Sequence, residues 1–410
     1  MTDFDIAIIG AGAAGIAAGR LLAGTATRYI ILEAGAAPGG RARTVSGDGV
    51  HLDLGCGWLH SADRNPWVDA ADRLGFEIDR TPPAWEAQLG DLGFSRQEQR
   101  EAGEAYAAFE KRLREAPPPS DCAADALEPG NRWNDHLDAI SGYLNGASLR
   151  QLSVADYLAY EDAATDENWR LPRGYGALIA AAGADLPIRL GTRAKAVDRR
   201  RSPLRLETDA GTITAAAVIV TVSTNVLASG ALRFDPPLDD KAQAATHLPL
   251  GPANKLFLRL DEPGEFPPDC HLIGDPHLAN GGSYYLRPFG CPVVECFFGG
   301  TGAAELEAQG NAATADFALE QLCGLLGSSF GRRAHLITGS AWGKEPAIGG
   351  SYSHALPGHA AARAILAASV EDRIFFAGEA CSPHDFSTAH GANATGVAAA
   401  EAALAAGRAT

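Results

Sequence analysis

The residues with the plainest chemistry stand near the start of the chain. Gly10-Ala11-Gly12-Ala13-Ala14-Gly15 is a GxGxxG run between an apolar strand pattern and a helix pattern. There Gly10 permits a tight turn, Gly12 lets the backbone approach a pyrophosphate, and Gly15 lets the helix pack close on the strand. The amides around Ala13 and Ala14 open that helix, where the dipole favours an anionic phosphate. Glu33 ends the following strand pattern, where a carboxylate accepts hydrogen bonds from ribose hydroxyls and repels a 2′-phosphate. Gly39-Gly40-Arg41-Ala42-Arg43-Thr44 comes directly after. A Gly pair with an Arg brings a guanidinium to a pyrophosphate while the backbone stays close. Nicotinamide-binding folds do not usually carry this second element, so a flavin dinucleotide is the expected ligand.

These groups need a frame. Phe4 to Ile9 is a short apolar run closed by Gly10, the pattern of a buried parallel strand. A helix over Ala13 to Leu22 and a strand over Tyr29 to Leu32 complete a βαβ unit. From about residue 65 the pattern turns helical, with a capping box at Ser95 and Glu98 and apolar recurrence at Ala102, Tyr106, Phe109 and Leu113. Ser153 with Asp156 reads as a further cap. Residues 171–225 return to nucleotide-domain texture: an apolar helix, a strand near Pro187–Leu190, a hairpin, and the strand Val218–Val222. Lys255–Leu260 alternates with period 2, and Ser283–Leu286 and Val293–Phe298 are strand patterns, so a second sheet is expected within 226–350. Arg373–Ala377 is a last buried strand, and a helix follows Gly391. The expected organisation is a discontinuous nucleotide domain from residues 1–75, 166–225 and 351–410, with a substrate domain from 76–165 and 226–350.

The totals exclude several function classes. At 410 residues the chain exceeds the usual single-core limit. Lys and Arg number 34 against 50 Asp and Glu, a formal net charge of −16, and no basic tract interleaved with aromatics suggests nucleic acid. The 7 cysteines are odd in number and never spaced as CxxC, which fits a reducing compartment and suggests no zinc site. No apolar run approaches the ~20 residues of a membrane helix. With the first strand pattern at Phe4, no secretory signal is expected and a cytoplasmic location is.

The chain resembles the flavin amine oxidase family, which includes monoamine and polyamine oxidases, histone demethylases of that fold and L-amino acid oxidases. The resemblance runs from end to end. Leu52-Asp53-Leu54-Gly55-Cys56-Gly57-Trp58 matches the family's flavin-flanking stretch, and Leu171-Pro172-Arg173-Gly174-Tyr175-Gly176 its central Gly-rich turn. Gly191-Thr192-Arg193-Ala194 matches the strand whose backbone meets the adenine. Ala377-Gly378-Glu379 and Ser387-Thr388-Ala389-His390-Gly391-Ala392 match the closing FAD motif. The resemblance implies an α/β protein with an FAD-binding, Rossmann-like, doubly wound domain and an inserted α+β substrate-binding domain. It implies cofactor contacts from Gly10, Gly12, Ala13, Ala14, Gly15, Glu33, Gly40, Arg41, Gly55, Gly57, Trp58, Ala194, Gly378, Glu379, Thr388 and Ala389. The implied reaction oxidises a primary or secondary amine by hydride transfer to flavin N5, giving an imine and, with oxygen as acceptor, hydrogen peroxide.

The resemblance also points to catalytic residues. By spacing alone Lys255 is an ordinary lysine on a half-buried strand; in the family it holds a water against the flavin. Trp342 and Tyr352 lie in the segment that runs past the flavin, where a Tyr walls the ring and an aromatic face can accept an amine; both also suit plain core packing. His60, followed by Asn65-Pro66-Trp67, resembles the polyamine oxidase version of its segment, with its His near the substrate and not on a metal; a histidine with no catalytic part fits the residues as well. Three departures stand out. Ser351 replaces the Cys that bonds flavin in monoamine oxidases, so non-covalent FAD is expected. Thr388 replaces the second aromatic wall, so the paired cage is incomplete, with Phe386 an open candidate for its place. Ser223 replaces the usual Pro after its strand. Alternatives are a desaturase or protoporphyrinogen-oxidase-like enzyme, a flavoprotein using FAD structurally, and an L-amino acid oxidase that would need Arg287 or Arg259 at the substrate carboxylate.

Overall fold

A computed structural model describes residues 2–85 and 87–409. Phe4–Ile9 is the middle of an eight-stranded sheet, with Tyr29–Leu32 parallel on one side and Gly211–Val220 parallel on the other. Ile8 sits between Ile31 and Ile219 in register. Ile374–Phe376 adds a further parallel strand against Val218–Val220, and Ile188–Arg189 extends the other edge. Alternate residues feed two cores, which is why these strands read as unbroken apolar runs. Ala7, Ile9, Ile30, Leu32, Val218 and Val220 pack on one face. Ile6, Ile8, Ile31 and Ile219 pack on the other, under the first and last helices, Ala13–Ala23 and Ala389–Ala409. Those two helices meet through small residues: Ala14 and Ala18 on one, Ala399, Ala400 and Ala403 on the other.

The sheet continues antiparallel through Leu204–Thr208 and Ala194–Asp198, and ends at Arg233–Asp235. The hairpin lengthens its second strand beyond the apolar Val218–Val222 pattern, because Gly211 to Ala215 finds backbone partners in Thr208 to Leu204.

A second, five-stranded antiparallel sheet runs in the order Cys270–Ile273, Ser283–Leu286, Val293–Gly299, Ala253–Leu260, Ala334–Gly339. Its period-2 pattern divides the faces. Leu256, Leu258, Leu260, Tyr284, Val294, Cys296 and Phe298 point into a core closed by the helix Asn311–Leu326. Lys255, Phe257, Tyr285, Glu295 and Phe297 lie on the other face and line a cavity. A third cluster gathers the helices Arg96–Glu115, Asn134–Asn145 and Val154–Glu161 around Phe109, Leu113, Trp133 and Leu137. Ser95 and Glu98 form the expected capping box, and Ser153 caps Val154–Glu161 by accepting from the Asp156 amide.

The architecture is therefore mixed α/β, a Rossmann-like unit joined to an antiparallel-sheet unit. Among the described residues no helix is long and apolar enough to cross a membrane.

Candidate active site

One continuous cavity of about 1140 Å³ runs between the two sheets. That lies at the upper limit for a single drug-sized ligand, and suits a dinucleotide with space beside it. At one end is the N-terminus of Ala13–Ala23. Its N-cap, Gly12, has no side chain to offer and its first turn holds no acid, so the leading amides keep their hydrogen-bonding capacity. Gly12, Ala13 and Ala14 line the cavity there. Gly15 does not; a methyl group on it would fall 1.9 Å from the Gly10 carbonyl oxygen, so its place is in the strand–helix contact. Glu33 lines the same end, where its carboxylate accepts from the amides of Ala11 at 2.8 Å and Gly35 at 2.7 Å. Ala194 opens its strand alongside.

Further in, the Arg41 guanidinium donates to the Ser351 carbonyl at 2.6 Å and to Glu379 at 2.8 Å. Glu379 is buried, and burial alone would raise its pKa. Arg41, the Ser353 hydroxyl at 2.6 Å and Arg363 outweigh that, so the carboxyl is held below its ordinary value. The Ser387 amide donates to the same carboxylate at 2.9 Å. Thr388 caps the last helix: its hydroxyl accepts from the Gly391 amide at 2.9 Å and donates to the Asp385 carbonyl at 2.7 Å. That cap starts the helix at Ala389, ahead of the Gly391 expected from the pattern. Gly40, Gly55, Gly57, Trp58, Gly378 and Ala389 also border the cavity.

The far end is aromatic and carries the catalytic candidates. Lys255 is buried, with its Nζ 2.7 Å from Glu295. Burial is the largest influence and favours the neutral amine, but Glu295, Asp53 and Cys56 together hold its pKa above the ordinary lysine value. Gly57 makes room for the lysine tip, since a methyl group on it would fall 2.9 Å from Nζ. Asp53 is fixed by Thr44 Oγ1 at 2.5 Å and the amides of Tyr175 and Gly176 at the start of the helix Tyr175–Ala182. Burial nevertheless raises its pKa.

Trp342 is buried; its indole donates to the Leu54 carbonyl at 3.1 Å, and Arg43 lies 5.2 Å from the ring centroid. The Tyr352 hydroxyl donates to the Tyr143 carbonyl at 2.6 Å, which fixes the plane of its ring at the cavity wall. His60 Nδ1 is 2.7 Å from the Asn168 side-chain oxygen, so Nδ1 carries the proton. Burial lowers the His60 pKa to about 4, and the imidazole is neutral at ordinary pH. Phe386 borders the cavity with its ring 3.6 Å from the Arg363 guanidinium carbon and 5.6 Å from Tyr160. Trp58, Trp85 and Tyr285 complete the wall, with ring centroids of the first two 4.6 Å apart.

The catalytic and cofactor-binding residues expected from the sequence thus meet on one cavity, Gly15 excepted. Several others there were not singled out in the sequence: Tyr143, Tyr285 and above all Glu295, while Asp53 stood only as part of the stretch 52–58. A Glu within the apolar strand pattern Val293–Phe298 was the one available hint. Arg259 and Arg287 lie elsewhere. Arg259 is exposed and pairs with Asp48 at 3.3 Å, and Arg287 donates to the Phe266 carbonyl at 2.5 Å.

Known proteins share sequence and fold with this chain. The family model for flavin containing amine oxidoreductase matches residues 84–404, and one for an NAD(P)-binding Rossmann-like domain matches residues 8–74. Polyamine oxidase 2 of Arabidopsis thaliana is 28% identical over 441 residues, covering 97% of this chain and 87% of that protein. Polyamine oxidase 3 of Oryza sativa subsp. japonica is 29% identical over 430 residues, covering 96% and 88%. A solved structure of putrescine oxidase bound to putrescine superposes with a TM-score of 0.78 at 19% identity, over 98% of this chain and 99% of that one, a likeness of fold.

Proposed function

This chain belongs to the flavin-containing amine oxidoreductases, enzymes that oxidise amines, and from that membership we propose a diamine or polyamine as its first substrate class and oxygen as its electron acceptor. The observation that carries the reading is the single cavity, which joins an uncapped helix N-terminus to an aromatic chamber containing one lysine. The residues present fit FAD. The leading amides of Ala13–Ala23 suit the pyrophosphate, the Glu33 carboxylate suits a ribose, and Arg41 is already oriented by Glu379. When bound, FAD supplies the two-electron acceptor for the C–H bond beside the amine nitrogen. Non-covalent attachment is part of the proposal. Ser351 offers no thiol, and burial pushes the Cys56 thiol up to about 12, which leaves it a poor nucleophile.

The protein's own share is placement and proton control. Tyr352, Phe386 and Trp342 wall the chamber and exclude water, and aromatic faces attract an amine that arrives charged. His60 is neutral, and its Nε2 is an acceptor available to the amine N–H. Lys255 presents a protonated Nζ that can hold a water in the chamber. Arg259 and Arg287 turn elsewhere and Arg170, over Trp58 and Tyr285, is already paired with Asp79 and Asp269, which weighs against an amino acid carboxylate as the second substrate group. The two-domain division is proposed with one change. Arg233–Asp235 pairs with the large sheet and the helix Asp239–Thr246 packs on it through Ala244 and Ala245, so the boundary after 225 moves to after 246.

Anaerobic spectroscopy of the flavin-loaded protein against monoamines, diamines, polyamines and amino acids tests the reading. Bleaching by a diamine or polyamine, reversed by air with release of peroxide, is expected. Bleaching by amino acids alone would reassign the substrate, and no bleaching by any amine would remove the proposal.

A further inference from the structure

Lys255 is the one ammonium that lines the cavity among the described residues, and it does not stand alone there. In the antiparallel register Phe257 lies opposite Glu295, and Lys255 opposite Phe297. Lys255 and Glu295 are thus diagonal neighbours on the cavity face, and their tips meet at 2.7 Å. The other titratable groups facing Nζ are Asp53 and Cys56, from the stretch that includes Gly57, and His60. Asp53 is occupied by Thr44 and two amides, Cys56 is a thiol, and His60 is neutral. Glu295 is therefore the carboxylate in direct contact with the lysine. A lysine this deep would lose its proton readily without an opposite charge beside it, because burial penalises the ammonium.

We propose that Glu295 is a positioning residue: its carboxylate holds the Lys255 tip against Gly57 and keeps that nitrogen a charged donor, so that Lys255 takes part in the reaction as a proton-bearing group and not as a base. The proposal rests on the amine-oxidation reading of the cavity for its consequence, but not for its test. Competitive acetylation of the flavin-loaded protein with acetic anhydride across pH, resolved by peptide mass spectrometry, reads the Lys255 titration without any substrate. In Glu295→Gln the midpoint is expected to fall by about 1–3 pH units, and Glu295→Asp, one methylene shorter, to lie between the two.

The pH profile of amine-driven flavin bleaching gives the second readout. Glu295→Gln should shift the profile in the wild-type background and change nothing further in Lys255→Met, since the two side chains act as one unit. An unmoved Lys255 midpoint, or an equal slowing by Glu295→Gln in both backgrounds, would overturn the proposal. Absence of bleaching by every amine would instead sink the substrate reading, while the acetylation result would still decide the role of Glu295.

Discussion

His354 is 4% exposed, and neither ring nitrogen meets a hydrogen-bond partner among the described residues. Burial, with Arg363 nearby, lowers its pKa to about 4. A histidine held neutral in the fold contributes its full stability above the unfolded value near 6.5, and loses it as pH falls towards 4. At pH 5 that loss is about 2 kcal/mol. His354→Leu removes the titration, so the variant should gain about 2 kcal/mol on the wild type between pH 7.5 and pH 5. Denaturant unfolding at the two pH values measures it, and parallel behaviour of the two proteins would refute it. Gly57→Ala is a test of a different kind. The added methyl group falls 2.9 Å from Lys255 Nζ, the end of a flexible chain, so the lysine moves and the fold does not. Amine turnover should fall about tenfold or more with stability changed by less than about 1 kcal/mol. Stopped-flow bleaching and thermal unfolding, compared side by side, separate the two effects.

Among elements, the last helix depends on its first residues. Thr388→Ala removes the hydroxyl that caps it and should cost about 1 kcal/mol. Because that helix begins at the cavity wall, flavin retention in a fluorescence titration should weaken as well; unchanged stability and retention would show that the cap is redundant. The same helix shows how far the sequence reaches. Phe4–Ile9 and Tyr29–Leu32 are readable residue for residue, because an apolar run buried on both faces needs no partner to announce it. The cavity face of the second sheet is readable as a period-2 alternation at Lys255 and Phe257. What that face presents to Lys255 is not, because Glu295 reaches it only through antiparallel register, which no local pattern encodes. Tyr352 and Thr388 show a related limit: their side chains are fixed by the Tyr143 and Asp385 carbonyls, and the first of these lies far away in sequence.

At the scale of the molecule, distant segments are stitched by arginine–carboxylate pairs, among them Arg41 with Glu379, Arg64 with Asp385, and Arg363 with Asp156. The last is the most buried, at 3% and 2% side-chain exposure, and it joins the helix Val154–Glu161 to the segment that carries Ser353 and Phe386. Arg363→Met leaves the Asp156 carboxylate without its partner and should cost about 3–5 kcal/mol, read from the denaturation midpoint of the flavin-loaded protein. A cost below about 1 kcal/mol would mean that water reaches the pair. The first helix, for its part, packs against the last one through Ala14 and Ala18. The helix behind the glycine turn thus seats on the central strands, on the helix Tyr175–Ala182 through Ile16, and on the last helix, Ala389–Ala409. The nucleotide cradle is therefore a clasp made of two far-apart stretches of the chain, and displacing either one opens it.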